Sequence, residues 1–327
     1  MLLISYGTRP EWIKIKPILN HLKMPYKKLF TGQHLDIAPR DADCIQLNIK
    51  DGPNRLDSII QSILNNEEIY KGITHVMVQG DTTSAFAVAL GAFHRNIKII
   101  HLEAGLRTYN KTAPYPEEFN RHAISLMADI HLCPTQSNAD NLRKEKIKEG
   151  IHIVGNTVLD NLIDVRTSYG QYILITLHRR ENHLLMKEWF EALNKVANAL
   201  PNLTLLFPLH PNPNVQKYKD VLEDNIIISP PLHYQDFQTL LANCKFIISD
   251  SGGVQEEASF LKKRVIVCRT TTERPEGLGN HMLCNNPADL VSLSKIINHN
   301  YKANDMCPFG DGQSGKRIAE ILKDECN

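Results

Sequence analysis

The residues of this chain best suited to chemistry stand just beyond short apolar runs. The most informative group is DSGGVQEEAS, residues 250–259. The run before it, FIIS at 246–249, reads as a buried parallel strand. Ser251, Gly252 and Gly253 would then present free backbone N–H groups at a helix N-terminus, where the dipole and unpaired amides favour phosphate. Glu257 falls one turn further on, where a carboxylate can accept hydrogen bonds from a ribose diol, as dinucleotide folds place an acid on ribose. The segment implies a nucleotide-bearing ligand. Taken alone it is equally compatible with an ordinary strand-turn-helix corner.

The same placement recurs elsewhere. GTRPEWIK, residues 7–14, offers Gly7 for a tight turn with Arg9 and Lys14 as cations; GDTTS at 80–84 carries Asp81, and EAGLRT at 103–108 carries Glu103. PYPEEFNR at 114–121 adds Glu117, Glu118 and Arg121, LHRREN at 177–182 adds His178, and PLHPNPNV at 208–215 adds His210. In isolation Asp81 reads as a helix N-cap, Glu103 as a surface carboxylate and His210 as a packed loop histidine. Their shared position at successive strand ends argues instead for one site.

Three acids, a histidine, several cations and a phosphate cradle suit C–O cleavage at a sugar carbon that bears a nucleotide. Breaking a glycosyl-diphosphate bond puts positive charge on the ring and negative charge on the departing diphosphate. Carboxylates stabilise the first, and cations and helix N–H groups the second. The neighbouring C2 proton becomes removable only as the C1 cation develops, and its return from the opposite face inverts C2. Two proton-transfer groups on opposite faces are required.

These residues need a frame, and apolar runs alternating with amphipathic stretches supply one. Strands are expected at 2–6, 27–30, 75–79, 97–102, 130–133 and 151–155, with helices at 10–23, 55–69, 82–95, 118–128, 135–148 and 157–166. After the polar RTSYGQ at 166–171 the strand pattern restarts at 172–177, 203–209, 225–229, 245–249 and 264–268, and a closing helix is expected at 316–323. This βα repeat predicts an α/β protein of two doubly wound Rossmann-like domains facing a cleft. They would span 1–167, with the carboxylates, and 168–327, with the nucleotide cradle, the last helix packing back on the first domain.

Bulk composition excludes several classes. The 327 residues are 42% apolar and 22% charged, ordinary globular values. Lys+Arg 37 against Asp+Glu 36 gives a net charge of +1, too little for a nucleic-acid or anionic-membrane footprint. The N-terminal segment lacks a signal-peptide core and no apolar stretch approaches 18 residues, so a cytoplasmic location is expected. The seven cysteines are scattered and never in CxxC spacing, which reads as buried thiols rather than a metal or disulfide framework.

GTRPEWIKIKP, TGQH, VQGDTTS, HLEAGLRT, PYPEEFNR, VGNTVLDNL, HRREN, PLHPNPNV, SDSGGVQEEAS and TTERPEGL, in this order along nearly the whole chain, resemble the non-hydrolysing UDP-N-acetylglucosamine 2-epimerase family. The resemblance implies a glycosyltransferase-B-like fold, no cofactor or metal, a homodimer, and interconversion of UDP-N-acetylglucosamine with UDP-N-acetylmannosamine through elimination of UDP to a glycal and readdition. It implies Asp81, Glu103 and Glu117 as the acid/base carboxylates, with His210 beside the diphosphate and sugar. It also implies substrate contacts from Arg9, Lys14, Arg121, His178, Ser251, Gly252, Gly253 and Arg274, a ribose acceptor in Glu257 and a uridine-pocket aromatic in Phe237, which could equally be core. The chain departs from the family pattern in shortened segments around 36–55 and 164–172. It also has LDIAPRDAD after TGQH, where relatives carry a basic stretch that holds a second UDP-N-acetylglucosamine as activator; effector binding at Gln33 and His34 is therefore not carried over. Other readings are a hydrolysing epimerase, an epimerase of a related UDP-acetamido sugar, a retaining glycosyltransferase, and a catalytically silent UDP-sugar-binding protein.

Overall fold

In a computed structural model the described residues are 1–34, 43–49, 52–303 and 306–326. The chain divides into two compact units, Met1–Asn161 with Gly310–Asn327, and Leu162–Phe309.

The first unit is built on seven parallel strands: β1 (Leu2–Tyr6), β2 (Tyr26–Phe30), β3 (Cys44–Gln46), β4 (His75–Gln79), β5 (Lys98–Leu102), β6 (Ile130–Cys133) and β7 (Ile151–Ile153). Their order across the sheet is β3-β2-β1-β4-β5-β6-β7. Helices α1 (Arg9–Leu19), α2 (Arg55–Leu64), α3 (Thr83–Phe93), α4 (Glu117–Met127) and α5 (Gln136–Lys144) follow strands, and α11 (Ser314–Glu325) closes the unit. The period of two along each strand sorts side chains onto two faces. Leu3, Val76, Val78 and Ile99 pack with Ile59 and Ile63 of α2, Val88 of α3 and Ile124 of α4. Leu2, Ile4, Met77 and Ile100 pack with Ile15 and Ile18 of α1 and Ile318 and Leu322 of α11. Near-continuous apolar runs are what a strand covered on both sides requires.

The second unit repeats the plan with β8 (Tyr172–Thr176), β9 (Thr204–Pro208), β10 (Ile226–Ser229), β11 (Phe246–Ser249), β12 (Val265–Val267) and β13 (Met282–Leu283), ordered β10-β9-β8-β11-β12-β13 and all parallel. Its helices are α6 (Met186–Ala199), α7 (Pro213–Gln216), α8 (Tyr234–Asn243), α9 (Gly252–Phe260) and α10 (Leu290–His299). Trp189, Phe190 and Leu193 of α6 and Leu290 and Ile297 of α10 bury one face of this sheet against Ile173, Phe207, Phe246 and Ile266. Both units are thus doubly wound and Rossmann-like. In each, the strand order reverses between two neighbours, β1 and β4 in the first and β8 and β11 in the second, and such reversals leave a crevice beyond the strand ends.

Two differences from the expected elements have local causes. The α-helix expected at 157–166 is a 3₁₀ segment, Thr157–Leu162, tied to the rest of its unit by a side chain: Asn161 Nδ2 donates to the Ile13 carbonyl at 3.1 Å as well as to the Val158 carbonyl within the segment at 3.2 Å. Strands β3 and β13 have only three and two residues, too few for any period to register. Among the described residues no helix is long and apolar enough to cross a membrane.

Asp160 joins that 3₁₀ segment to the returning C-terminal chain. Its carboxylate accepts the N–H groups of Ser314 at 3.1 Å and Gly315 at 2.6 Å, satisfying two first-turn donors of α11. Replacing it with alanine should lower unfolding free energy by about 1–2 kcal/mol in urea titration. An unchanged midpoint would mean that water replaces the cap at no cost.

Candidate active site

In the first unit the reactive side chains leave from adjacent strand ends. Gln79 pairs with Leu102 in the β4–β5 register, so Asp81 and Glu103 emerge side by side just past the sheet. Gly80 is fixed between them: its N–H donates to the Leu102 carbonyl at 2.9 Å, and its carbonyl accepts His101 Nε2 at 2.8 Å. Glu103 has φ +67°, in the left-handed region that costs a residue with a Cβ about 1–2 kcal/mol. Such a conformation persists only where the surroundings dictate it. Here they do, because Lys14 Nζ bonds Glu103 Oε1 and Gln79 Nε2 bonds Oε2. Glu103 is therefore no loose surface carboxylate; its side chain is 9% exposed.

Asp81 does not cap α3. Thr82 does, its hydroxyl accepting the Ala85 N–H at 3.0 Å. Asp81 Oδ2 instead takes both Nε (2.9 Å) and Nη2 of Arg121, and its carbonyl accepts Asn120 Nδ2 at 2.9 Å. The adjacent acids of PYPEEFNR part company at the start of α4. Glu118 is buried, accepts the N–H groups of Thr108 and Tyr109 at 2.9 and 2.8 Å and pairs with Arg121 at 3.1 Å, whereas Glu117 is half-buried in the same first turn. Arg9, also half-buried, opens α1, the helix that carries Lys14.

Sequence reasoning passed over Glu11. It is buried, accepts the N–H groups of Gly7 (3.0 Å) and Thr8 (2.6 Å) through Oε2, and accepts the Thr82 hydroxyl through Oε1 at 2.8 Å. Burial pushes its carboxyl above the ordinary value, and these donors oppose the rise. The side chain ties the loop after β1 to the loop after β4. A Thr-x-x-Glu capping box, legible at Thr8 and Glu11, was the available signal. Gln33 serves the same junction, its Oε1 accepting the Ser84 N–H and hydroxyl at 3.2 and 2.8 Å. His34 N–H bonds the Gly7 carbonyl at 2.7 Å. The LDIAPRDAD departure lies outside the described residues except for Asp43.

In the second unit the loops after β8 and β11 are joined by Asp250, a residue without a sequence signal of its own. Fully buried, it accepts the N–H groups of His178 and Arg179, both at 2.9 Å to Oδ2, and Asn182 Nδ2 at 3.0 Å. His178 lies stacked on His210, with ring centroids 4.8 Å apart and planes 13° from parallel. Burial draws the His178 imidazole down to about 4 against the pull of Asp250, and burial lowers His210 as well. The pair is uncharged near neutrality.

Ser251 is the N-cap of α9, and its side chain makes no capping hydrogen bond. The expectation of three free amides is corrected to two at this helix start. The Ser251 N–H donates to Ser249 Oγ at 3.0 Å, because that hydroxyl sits at the end of the preceding strand, leaving Gly252 and Gly253 to open the helix. The two glycines answer different demands. A Cβ on Gly252 would stand 2.7 Å from Arg274 Cζ, whereas one on Gly253 would meet no protein atom within 4 Å. Arg274 is buried beneath this turn, bonded to Glu256 at 2.6 Å and to Glu273, which also holds Arg269 at 2.7 Å. Glu257, also buried, accepts the Tyr234 hydroxyl. Phe237 is half-buried on α8 and is not part of the large core cluster of its unit. Among the described residues no group of three or more His, Cys, Asp or Glu side chains converges as metal ligands.

Burial also sets a pH limit on the fold beneath both sites. His101 is drawn down to about 3, and His131 and His281 to about 4, each chiefly by burial. Above the ordinary value of 6.5 these rings are neutral whether the chain is folded or not. Below it, and down to the folded values, only the unfolded chain gains the protons. Stability should then fall with falling pH by about 1.4 kcal/mol per pH unit for each histidine, measurable as a drop in urea midpoint. A midpoint that stays level through this window would contradict neutral burial.

A family model described as UDP-N-acetylglucosamine 2-epimerase matches residues 20–323. The chain is 37% identical to the UDP-N-acetylglucosamine 2-epimerase of Campylobacter jejuni, over 98% of this chain and 97% of that one. Among solved structures, UDP-GlcNAc 2-epimerase from Neisseria meningitidis bound to UDP-GlcNAc matches with a TM-score of 0.89 at 32% identity, covering 99% of both chains. The Methanocaldococcus jannaschii UDP-GlcNAc 2-epimerase in complex with UDP-GlcNAc and UDP matches with a TM-score of 0.84 at 32% identity, over 98% of this chain and 99% of that one. Agreement of sequence and fold along nearly the whole length leads to one conclusion: the chain belongs to the UDP-N-acetylglucosamine 2-epimerase family.

Proposed function

We propose that this protein is a non-hydrolysing UDP-N-acetylglucosamine 2-epimerase that interconverts UDP-N-acetylglucosamine and UDP-N-acetylmannosamine by eliminating UDP to a 2-acetamidoglucal and adding it back. The observation that carries the reading is the fixed carboxylate of Glu103, beside Asp81 at neighbouring strand ends, each held by its own cation. An elimination needs carboxylates that meet a developing oxocarbenium centre without reorganising first, and positions set by backbone and ion pair supply that. Asp81, Glu103 and Glu117 divide the proton transfers and cation stabilisation; Arg9, Lys14 and Arg121 serve the nucleotide-sugar. In the second unit the amides of Gly252 and Gly253, with Ser251, take the diphosphate. The open space over Gly253 suits a ligand that approaches the backbone closely. The neutral His178–His210 stack lies toward the diphosphate and sugar, Glu257 toward the ribose and Phe237 toward the uracil. Arg274 acts from below, as the floor under Gly252.

In deuterated water the protein should place deuterium at C2 of both UDP-sugars. Asp81→Asn, Glu103→Gln and Glu117→Gln should each lower kcat by roughly 10²–10⁴-fold while UDP binding persists. Unlabelled and unepimerised substrate would refute the assignment, and stoichiometric release of UDP with free sugar would replace it with the hydrolysing reaction.

The protein acts as a homodimer in the cytoplasm. Cys44, Cys133, Cys244, Cys268, Cys284 and Cys326 are free thiols, as a reducing compartment favours. Phe86, Leu90 and Phe93 lie at i, i+4, i+7 on α3, and Phe119 and Leu126 lie seven apart on α4. The Phe86 and Phe119 rings meet edge-on at 6.0 Å, while Phe93, Phe119 and Leu126 are 56%, 58% and 77% exposed. Exposed apolar side chains gathered on two adjacent helices suit a second copy of the chain. Sedimentation should give a dimer for the native chain and a monomer for Phe119→Asp with Leu126→Asp; a native monomer would contradict this.

A further inference from the structure

Two of the buried thiols are neighbours. The β12–β13 register pairs Ile266 with Met282 and Val267 with Leu283, and the next residues on the two strands are Cys268 and Cys284. The Cys284 N–H continues the ladder to the Val267 carbonyl at 2.8 Å. Both side chains point to the same face, since both belong to the core cluster that contains Ile266 and packs Met282. Opposed positions on paired strands bring Cα atoms into the range a disulfide spans, and the end of a ladder leaves room to adjust.

Their surroundings differ in a useful way. Cys268 is fully buried, and its carbonyl accepts Asn182 Nδ2 at 2.9 Å. Cys284, itself only 1% exposed, follows the two-residue edge strand β13, between Leu283, which is 39% exposed, and exposed Asn285. A surface cavity of about 740 Å³ is lined by the three residues that follow it, Asn285, Asn286 and Pro287. The neighbouring Cys268 thiol draws the Cys284 pKa below the ordinary thiol value, while burial holds Cys268 well above; the Cys284 Sγ lies 3.3 Å from the Asn286 carbonyl. The thiol at the sheet edge, the more easily ionised of the two, is therefore the nucleophile, and its partner the resolving group.

We propose that Cys268 and Cys284 form a redox modification site, oxidised by a hydroperoxide to a disulfide whose strain is passed to the loop carrying His178. The Cys284 thiolate attacks one peroxide oxygen, giving a sulfenic acid while the other oxygen leaves and takes up a proton as water. The Cys268 sulfur then attacks the sulfenic sulfur; the S–S bond forms, and the hydroxyl departs as water with the Cys268 proton. Two thiols and hydrogen peroxide become a disulfide and two waters, the thiols supplying both electrons. Drawing Cys268 toward Cys284 displaces its carbonyl. The same Asn182 Nδ2 that bonds this carbonyl also bonds Asp250, which holds the His178 and Arg179 amides. Arg269, the next residue, pairs with Glu273, the partner of Arg274 beneath Gly252. A change at Cys268 thus reaches both edges of the diphosphate site. That last step rests on the function proposed above; disulfide formation and the loosened loop do not.

The test treats the full chain with hydrogen peroxide, maps disulfide-linked peptides by mass spectrometry, and follows amide hydrogen exchange and UDP binding before and after dithiothreitol. A 268–284 link, faster exchange at His178 and Arg179, and UDP affinity lower by about tenfold are expected, all reversed by the reductant. Cys284→Ala and Cys268→Ala should each abolish the peroxide response; should either fold poorly, the peptide map of the native chain decides alone. Thiols that stay free or over-oxidise without a 268–284 link would overturn the proposal, as would a link that leaves exchange unchanged. If the reduced protein binds no UDP, the proposed function fails, and the link with the exchange data still decides this inference.

Discussion

The arrangement of this protein depends on one constraint of parallel sheets: where strand order reverses, successive connections leave in opposite directions and the strand ends between them stay uncovered. Both sheets reverse, at β1–β4 and at β8–β11. The chain spends its unusual polar residues in the first few positions past these strands. Because β4 and β5 stand in register, Asp81 and Glu103 have little freedom in their separation. Because β8 and β11 are neighbours, one aspartate, Asp250, can hold the backbone of the opposite loop.

Charge is managed by pairing in every layer beneath these ends. Arg107, with its side chain fully buried, grips Glu145 through two bonds of 2.8 Å, so that the arginine of EAGLRT clamps the loop that follows Glu103. Under α9 the series Glu181–Arg269–Glu273–Arg274–Glu256 alternates in sign, and all but Glu181 are buried. Burying such charges costs several kcal/mol per ion unless each finds a partner, and removing one member strands the next. The series therefore contributes rigidity below the Ser251–Gly253 turn more than net stability. Neutral buried histidines play the matching part: His101 fixes the carbonyl before Asp81 without bringing a charge beside it.

Sequence pattern made the two doubly wound units legible because strands covered on both faces must be apolar throughout, as LLISY and HVMVQ are. It gave the strand-end residues Asp81, Glu103 and His210 for the same reason, since polar groups directly after such runs stand out. It missed β3 and β13, which are too short to carry a period, and assigned 157–166 to an α-helix because Asp160 and Asn161 look like ordinary helix surface until their partners at Ser314, Gly315 and Ile13 are known. It could not part Glu118 from Glu117, because only the direction of α4 decides which carboxylate turns inward. Glu11, Gln79 and Asp250 escaped notice because their partners are backbone amides or side chains far along the chain.

The proposed function rests on one chemical idea: the C1–O bond of the nucleotide-sugar breaks before C2 inverts. A heavy-oxygen label placed at the bridge between C1 and the β-phosphorus of UDP-N-acetylglucosamine tests this directly. If UDP departs and returns, label in recovered UDP-sugar will redistribute into the non-bridging β-phosphate positions during epimerisation. Label that remains wholly in the bridge while C2 inverts would show that the bond never breaks, and would contradict the account.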